Sequence, residues 1–186
     1  PPPPPLVVHD QSPPALSTHS RPDAPPTQSR SSIKLIEALA DEFRMINQIS
    51  ELKLIPINQE IDLCKTHLKI MSYRKGADYK LETIDINEKD TVPPMIFHTL
   101  VENGITHGFE KKIAGTFKLQ TIKNSNSIKY VLTNDGDFNP EESKGSTGFG
   151  AKYIKGRLEE SYPGNWNFTS SKSDEGWESI VEIRNN

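Results

Sequence analysis

Glu102 and Asn103 stand side by side in the run Leu100-Val101-Glu102-Asn103-Gly104-Ile105-Thr106-His107-Gly108, an acid beside an amide within one helical pattern. Pro93-Pro94 introduces that pattern. Thr99, Glu102, Asn103 and Thr106 fall on one stripe at helical spacing, and Phe97, Leu100, Val101 and Gly104 fall on the opposite one. A carboxylate beside a carboxamide suits a Mg-nucleotide site. The amide oxygen can ligate a hard cation, and the carboxylate can orient an attacking group or a metal-bound water. Such a pair alone decorates many solvated helix faces, so its meaning depends on what accompanies it.

A glycine-rich stretch follows about forty residues later. Its first half, Val131-Leu132-Thr133-Asn134-Asp135-Gly136-Asp137-Phe138, ends a strand pattern in which Ile128, Tyr130 and Leu132 alternate with polar residues, then turns at Asp135-Gly136. Its second half, Gly145-Ser146-Thr147-Gly148-Phe149-Gly150, opens a helix that runs through Arg157-Leu158. Backbone amides freed by small residues and aimed from a helix N-terminus make an anion site for phosphates. Either half alone also reads as a turn and an ordinary helix start; the three elements in this order are far more specific. The intervening polar residues 139–144 predict a solvent loop that closes over nucleotide, with Lys144 in reach of phosphate.

These boxes resemble those of the LytS/YehU-like sensor histidine kinases of the GHKL ATPase superfamily. The segment from Val92 to Gly108 looks like the family's PPLLLQPLVENAIKHG box, and the segment from Ser146 to Leu158 is similar to its GTGIGLKNVRERL box. Upstream, Pro56-Ile57-Asn58-Gln59-Glu60-Ile61 and Tyr73-Arg74 match the pattern that precedes the family's nucleotide domain. The resemblance covers roughly residues 33 to 186. It implies an ATP-binding catalytic domain that passes the ATP γ-phosphoryl group to a histidine, which then supplies a response regulator. The fold it implies is an α+β two-layer sandwich of helices on a mixed sheet.

Residue roles follow from the same resemblance. Asn103 would hold Mg²⁺, and Glu102 would orient or deprotonate the acceptor. Asn134 or Asp135 would read adenine, and Gly136 would shape the pocket. Thr147, Gly148 and Gly150 would bring backbone amides to phosphate, and His107 would pack or contact phosphate at the end of the Glu-Asn helix. This chain departs from the family at several of these places. Asn134 stands where the family has aspartate, so its bond to the adenine amino group would be neutral and roughly half as strong. Phe138 takes a common glycine position, Ser146 the first glycine of the later loop, Ala151 a leucine position and Tyr153 an asparagine position.

Composition agrees with one domain and an appendage. A chain of 186 residues can bury one good core. The net charge of −3, with both signs interspersed, offers no basic stripe for nucleic acid. A lone cysteine, Cys64, excludes a disulfide within one chain and any multi-cysteine metal cluster, and it sits on the apolar side of a helical pattern. No apolar run reaches membrane-span length and no signal peptide is read. The implied setting is cytoplasmic, with any sensor or membrane part outside these residues.

Organisation along the chain is uneven. Ten of the fifteen prolines lie in residues 1–30, which are expected to be extended or disordered. Residues 31–55 form a dimerisation-type helix, capped by Ser31 or Ser32, with Ile36, Leu39, Phe43 and Ile46 as its apolar stripe. The partner for that stripe is a second copy of the chain or its own domain. Residues 56–186 make up the ATP-binding domain. They comprise a helix with Ile57, Ile61, Cys64, Leu68 and Met71 on one face, a strand from Tyr79 to Ile86, and the Glu-Asn helix. A hairpin of Thr116–Lys123 and Ser127–Thr133 follows, then the glycine-loop helix and two alternating runs at Trp166 and Trp177.

The histidines offer no phosphoacceptor. Neither His9 nor His19 matches the family's PHFLFN acceptor segment, and His67 and His98 read as surface or satisfied residues. Two other readings therefore stand beside the kinase. One is a regulatory module with weak or no nucleotide binding that acts by dimerisation; the other is an anti-sigma-factor-like serine kinase on the same superfamily fold.

Overall fold

The computed structural model describes residues 1, 26–109, 114–137, 148–174 and 176–185. Helix α1 spans Pro26–Ile49, and a short strand β1, Ile55–Pro56, leads directly into α2, Ile57–Lys75. Strand β2, Asp78–Ile84, and short β3, Thr91–Val92, precede α3, Ile96–Gly108. Then come β4, Ala114–Lys123; β5, Ser127–Asn134; α4, Phe149–Ser161; β6, Trp166–Ser173; and β7, Gly176–Arg184.

Five strands form one mixed sheet in the order β2-β4-β5-β7-β6. Only β2 and β4 run parallel. The expected hairpin is present, with Phe117 opposite Asn134 and Lys123 opposite Ile128. The Asn124 N–H donates to the Ser127 carbonyl at 2.9 Å to close its turn. The strands alternate as period-two patterning requires: Phe117, Leu119, Tyr130, Leu132, Val181 and Ile183 point to the core, while Lys118, Lys129 and Glu182 lie on the open face. The α+β two-layer expectation holds. Phe97 packs edge-on to Tyr130 with ring centroids 5.6 Å apart, which joins α3 to β5. A second small sheet pairs β1 with β3, Ile55 opposite Val92, and binds the entrance of α2 to the entrance of α3.

The first helix starts earlier than expected. It begins at Pro26, five residues before Ser31, so residues 26–30 are helical and neither serine caps it. A proline heads a helix without loss, because the first-turn N–H groups have no partner within the helix. The face of this helix that packs on the domain lies one position away from the apolar stripe. Ala38 and Ile49 are buried and Leu35, Glu42 and Met45 half-buried, whereas Ile36 and Phe43 remain 65% and 67% exposed. Leu39 and Ile46 lie half-buried at the boundary. The inner stripe contains a glutamate, which hides it from a reading of apolar spacing. Cys64 is buried in α2, as expected. No helix among the described residues is long and apolar enough to cross a membrane.

Candidate functional site

Helix α3 starts without a cap of its own. Met95, its N-terminal neighbour, adopts a left-handed conformation with φ 65° and offers no side-chain hydrogen bond. The cap comes from α2 instead. Glu60, fully buried, accepts from the backbone N–H of Met95 at 2.7 Å, Phe97 at 2.8 Å and His98 at 3.0 Å. Burial pushes its carboxyl above the usual range, against the pull of the three N–H groups. These donors would otherwise be orphaned in the interior, and a negative charge at a helix N-terminus is stabilising. The far end of α3 is tied to α2 as well, because the Lys75 ammonium donates to the Ile105 carbonyl at 3.2 Å.

The polar stripe of α3 faces outward as its spacing predicts. Glu102 and Thr106 are exposed, and Thr99 and Asn103 are half-buried. The glycine loop ends against this stripe. Gly148 precedes α4 with φ 63°, and Gly150 lies in the first turn of α4. A Cβ on Gly150 would stand 2.5 Å from Asn103 Nδ2 and 3.2 Å from Thr99 Cγ2, so only glycine admits this approach. The Glu-Asn helix and the start of α4, 47 residues apart at Asn103 and Gly150, are therefore in contact.

The strand-end turn closes against the same helix. Asn134, only 8% exposed, accepts the Gly136 N–H on its side-chain oxygen at 3.0 Å. A Cβ on Gly136 would come within 2.8 Å of Gly108 Cα, and the Asp137 N–H donates to the Gly108 carbonyl at 2.8 Å. Asp135 differs from its neighbour. Its carboxylate accepts the Thr116 N–H at 2.8 Å, which fastens the end of β5 to β4. Of the two residues proposed to read a base, Asn134 is the one lodged beneath α3. His107 lies half-buried in the last turn of α3, while Lys144 and Thr147 fall outside the described residues.

Helix α4 is anchored on its other side. The Arg157 guanidinium donates to the Leu52 carbonyl at 2.6 Å and to Glu160 at 3.0 Å, and the Ser161 hydroxyl donates to the Lys53 carbonyl at 3.1 Å. Tyr153 turns back toward α3, its hydroxyl 3.5 Å from the Pro94 carbonyl. Burial holds that phenol above its usual range. The arrangement fits an anion and a hard cation chemically: an amide oxygen on α3, first-turn amides on α4, and a bare glycine between them.

Sequence reasoning missed two features. Glu60 was visible within the upstream pattern, but its capping role was not; the available signal was an acid on the apolar side of α2. The second is a cluster of Glu42 from α1, His67 from α2 and His98 from α3. His67 Nδ1 pairs with the Glu42 carboxylate at 2.8 Å and His98 Nε2 with the same oxygen at 3.2 Å, while His98 Nδ1 is left buried without a hydrogen-bond partner. Burial raises the Glu42 carboxyl, but the hydrogen bonds and charges of the two imidazoles outweigh it and hold the pKa at about 2.

No family model matches the chain. It is 35% identical over 81 residues to the sensor protein LytS of Bacillus subtilis, a stretch that is 42% of this chain and 14% of that protein. The histidine kinase domain of the blue-light-activated kinase from Erythrobacter litoralis superposes with a TM-score of 0.53 at 14% identity. The match covers 84% of this chain and 80% of that one. Histidine kinase AdeS of Acinetobacter baumannii superposes with a TM-score of 0.53 at 11% identity, over 86% and 84% of the two chains. The chain thus has the α+β fold of histidine-kinase catalytic domains, and it is LytS-like in sequence over the matched stretch.

Proposed function

We propose that this chain is the ATP-binding catalytic domain of a LytS-like sensor histidine kinase, which transfers the γ-phosphoryl group of Mg-ATP to a histidine in two-component signalling. The observation that carries this reading is the contact between Asn103 on α3 and Gly150 at the start of α4, made beside the Asn134–Gly136 turn. On this reading Asn103 is the metal ligand, the start of α4 the anion site, and the Asn134–Gly136 turn, lodged beneath α3, the base site.

Bound Mg²⁺ would supply charge neutralisation along the phosphate chain. The residues of the chain do the rest. Asn103 presents an amide oxygen to the metal. Glu102, exposed one position away, orients the acceptor imidazole and holds its proton. Asn134 accepts the base amino group on the oxygen lone pair left over from Gly136, with Asp135 fixing the turn that carries it. The first-turn amides of α4 at Gly148 and Gly150 bind phosphate oxygen, joined by Thr147, Lys144 and His107. Positioning and electrostatics carry the rate in chemistry of this kind.

The response regulator is the protein partner this reading requires, and a second copy of the chain is the partner that suits the outer stripe of α1. Any membrane attachment belongs to parts outside the chain. Calorimetric titration of Mg-ATP tests the reading. Micromolar binding, about −8 kcal/mol, is expected. No heat at millimolar nucleotide would leave a module that acts by dimerisation alone.

A further inference from the structure

We infer that Glu42, His67 and His98 form a binding site for a divalent transition-metal ion of the zinc class, joining α1 to α2 and α3. The three donor atoms converge: Glu42 Oε1 lies 2.8 Å from His67 Nδ1 and 3.2 Å from His98 Nε2, and all three lie within 4.8 Å of one another. Two imidazole nitrogens and a carboxylate oxygen are a donor set zinc accepts, with bonds of about 2.0–2.2 Å in tetrahedral array. That geometry separates neighbouring donors by roughly 3.3 Å. The two oxygen–nitrogen spacings lie below this value and the third spacing is at most 4.8 Å, so rotations of the two imidazole side chains bring all three donors onto one ion.

Burial favours the site, and the His98 ring is free to change tautomer to suit it. The side chains are 13%, 13% and 7% exposed, which excludes bulk water without sealing the trio from an entering ion. His98 Nδ1 is buried with no hydrogen-bond partner, so nothing outside the trio locks the ring's tautomer. Nε2 can thus present a lone pair to the centre in place of a proton. The rings meet edge to face, centroids 4.8 Å apart at 72°. Three protein ligands leave one coordination position for water.

The site lies away from the nucleotide residues but shares a helix with them. His98 precedes Glu102 by one turn of α3. An ion held here would fasten α1, otherwise packed on α2, directly to the helix that presents Glu102 and Asn103.

The test uses the full chain, stripped with chelator and titrated with Zn²⁺ against a chromophoric competitor, and separately with Co²⁺ followed by its visible absorption. One equivalent is expected to bind, with intense tetrahedral Co²⁺ bands, no thiolate signature and a raised melting temperature. His67→Gln and Glu42→Gln should each weaken binding by more than the roughly 100-fold that follows loss of an outer-shell partner. A His9→Gln, His19→Gln double variant should bind as the wild type does. Equal affinity in His67→Gln, or loss of binding in the His9, His19 variant, would overturn the assignment. Should His67→Gln fail to fold, imidazole NMR of the wild type decides: His67 and His98 ring signals must shift on adding Zn²⁺, and unmoved signals sink the site.

Discussion

Gly150 approaches Asn103 so closely that an added methyl group would overlap the amide, at 2.5 Å from its nitrogen. Gly150→Ala must therefore push Asn103 aside or shift the first turn of α4. The expected outcome is loss of Mg-ATP affinity with little loss of fold, because α4 is anchored independently through Arg157 and Ser161. Calorimetry beside circular dichroism would show it; unchanged affinity would mean that this contact lies outside the nucleotide site.

Asn103→Ala should remove the Mg²⁺-dependent part of ATP affinity, at a cost of about 1–3 kcal/mol. Titrations with and without Mg²⁺ isolate that part. Equal Mg-ATP binding by wild type and variant would mean that Asn103 is not the metal ligand.

Asn134→Asp should tighten ATP binding. The aspartate retains an oxygen for the Gly136 N–H, now 3.0 Å away, and offers a charged acceptor to the base amino group. GTP presents a carbonyl at that place and should gain nothing. A matching gain for both nucleotides would separate this turn from base recognition.

Glu60→Ala should destabilise the domain strongly. It strands three buried N–H donors, each worth about 1–3 kcal/mol when unsatisfied, although relaxation and water entry will recover part of the sum. Urea unfolding should show a lowered midpoint, with Glu60→Gln intermediate because the amide retains one acceptor oxygen. A neutral Glu60→Ala would contradict the cap.

The outer stripe of α1 predicts self-association. Ile36 and Phe43, each about two-thirds exposed, leave apolar area in water at a cost of about 25 cal/mol per Å². Sedimentation of the wild type should reveal a dimer that Ile36→Glu, Phe43→Glu dissociates. A wild type that stays monomeric at high concentration would sink the idea.

Alkaline pH should unfold the protein through its buried phenols. Burial and the nearby Asp90 carboxylate raise Tyr162 to about 12 and drive Tyr130 higher still. A phenol that ionises near pH 10 when unfolded but later when folded contributes nothing below pH 10 and favours unfolding above it. Stability should begin to fall near pH 9, where the Cys64 thiol ionises only when unfolded, and fall further between 10 and 12, with the tyrosinate absorbance of these residues appearing late. Early, simultaneous titration of every tyrosine would contradict their burial.

Much of this architecture was legible before any coordinates. The strands read well because alternation at Tyr130 and Leu132, or at Val181 and Ile183, records a one-sided sheet. The neighbourhood of Glu102 read well because helical spacing alone separates its exposed stripe from Phe97 and Val101. What stayed hidden has one physical cause: polar groups doing buried work. Glu42 interrupts the apolar spacing of the face of α1 that packs on α2, so only the outer stripe was legible. Glu60 sat among isoleucines on α2 with a task that belongs to α3, 35 residues later along the chain at Met95. Periodicity sees only local neighbours, and these carboxylates answer to distant ones.

Helix α3 is gripped at both ends by α2. The Glu60 carboxylate grips its first N–H groups and the Lys75 ammonium its last turn, and both belong to α2. Glu102 and Asn103 lie between these fastenings, like a plank's midpoint between two trestles. A rigid tilt of α2 must therefore carry the pair along, while α4, pinned by Arg157 to the chain just before α2, meets them from a separate support. Asn103 and Gly150 thus meet from two supports, α2 behind the first and the chain that leads into α2 behind the second.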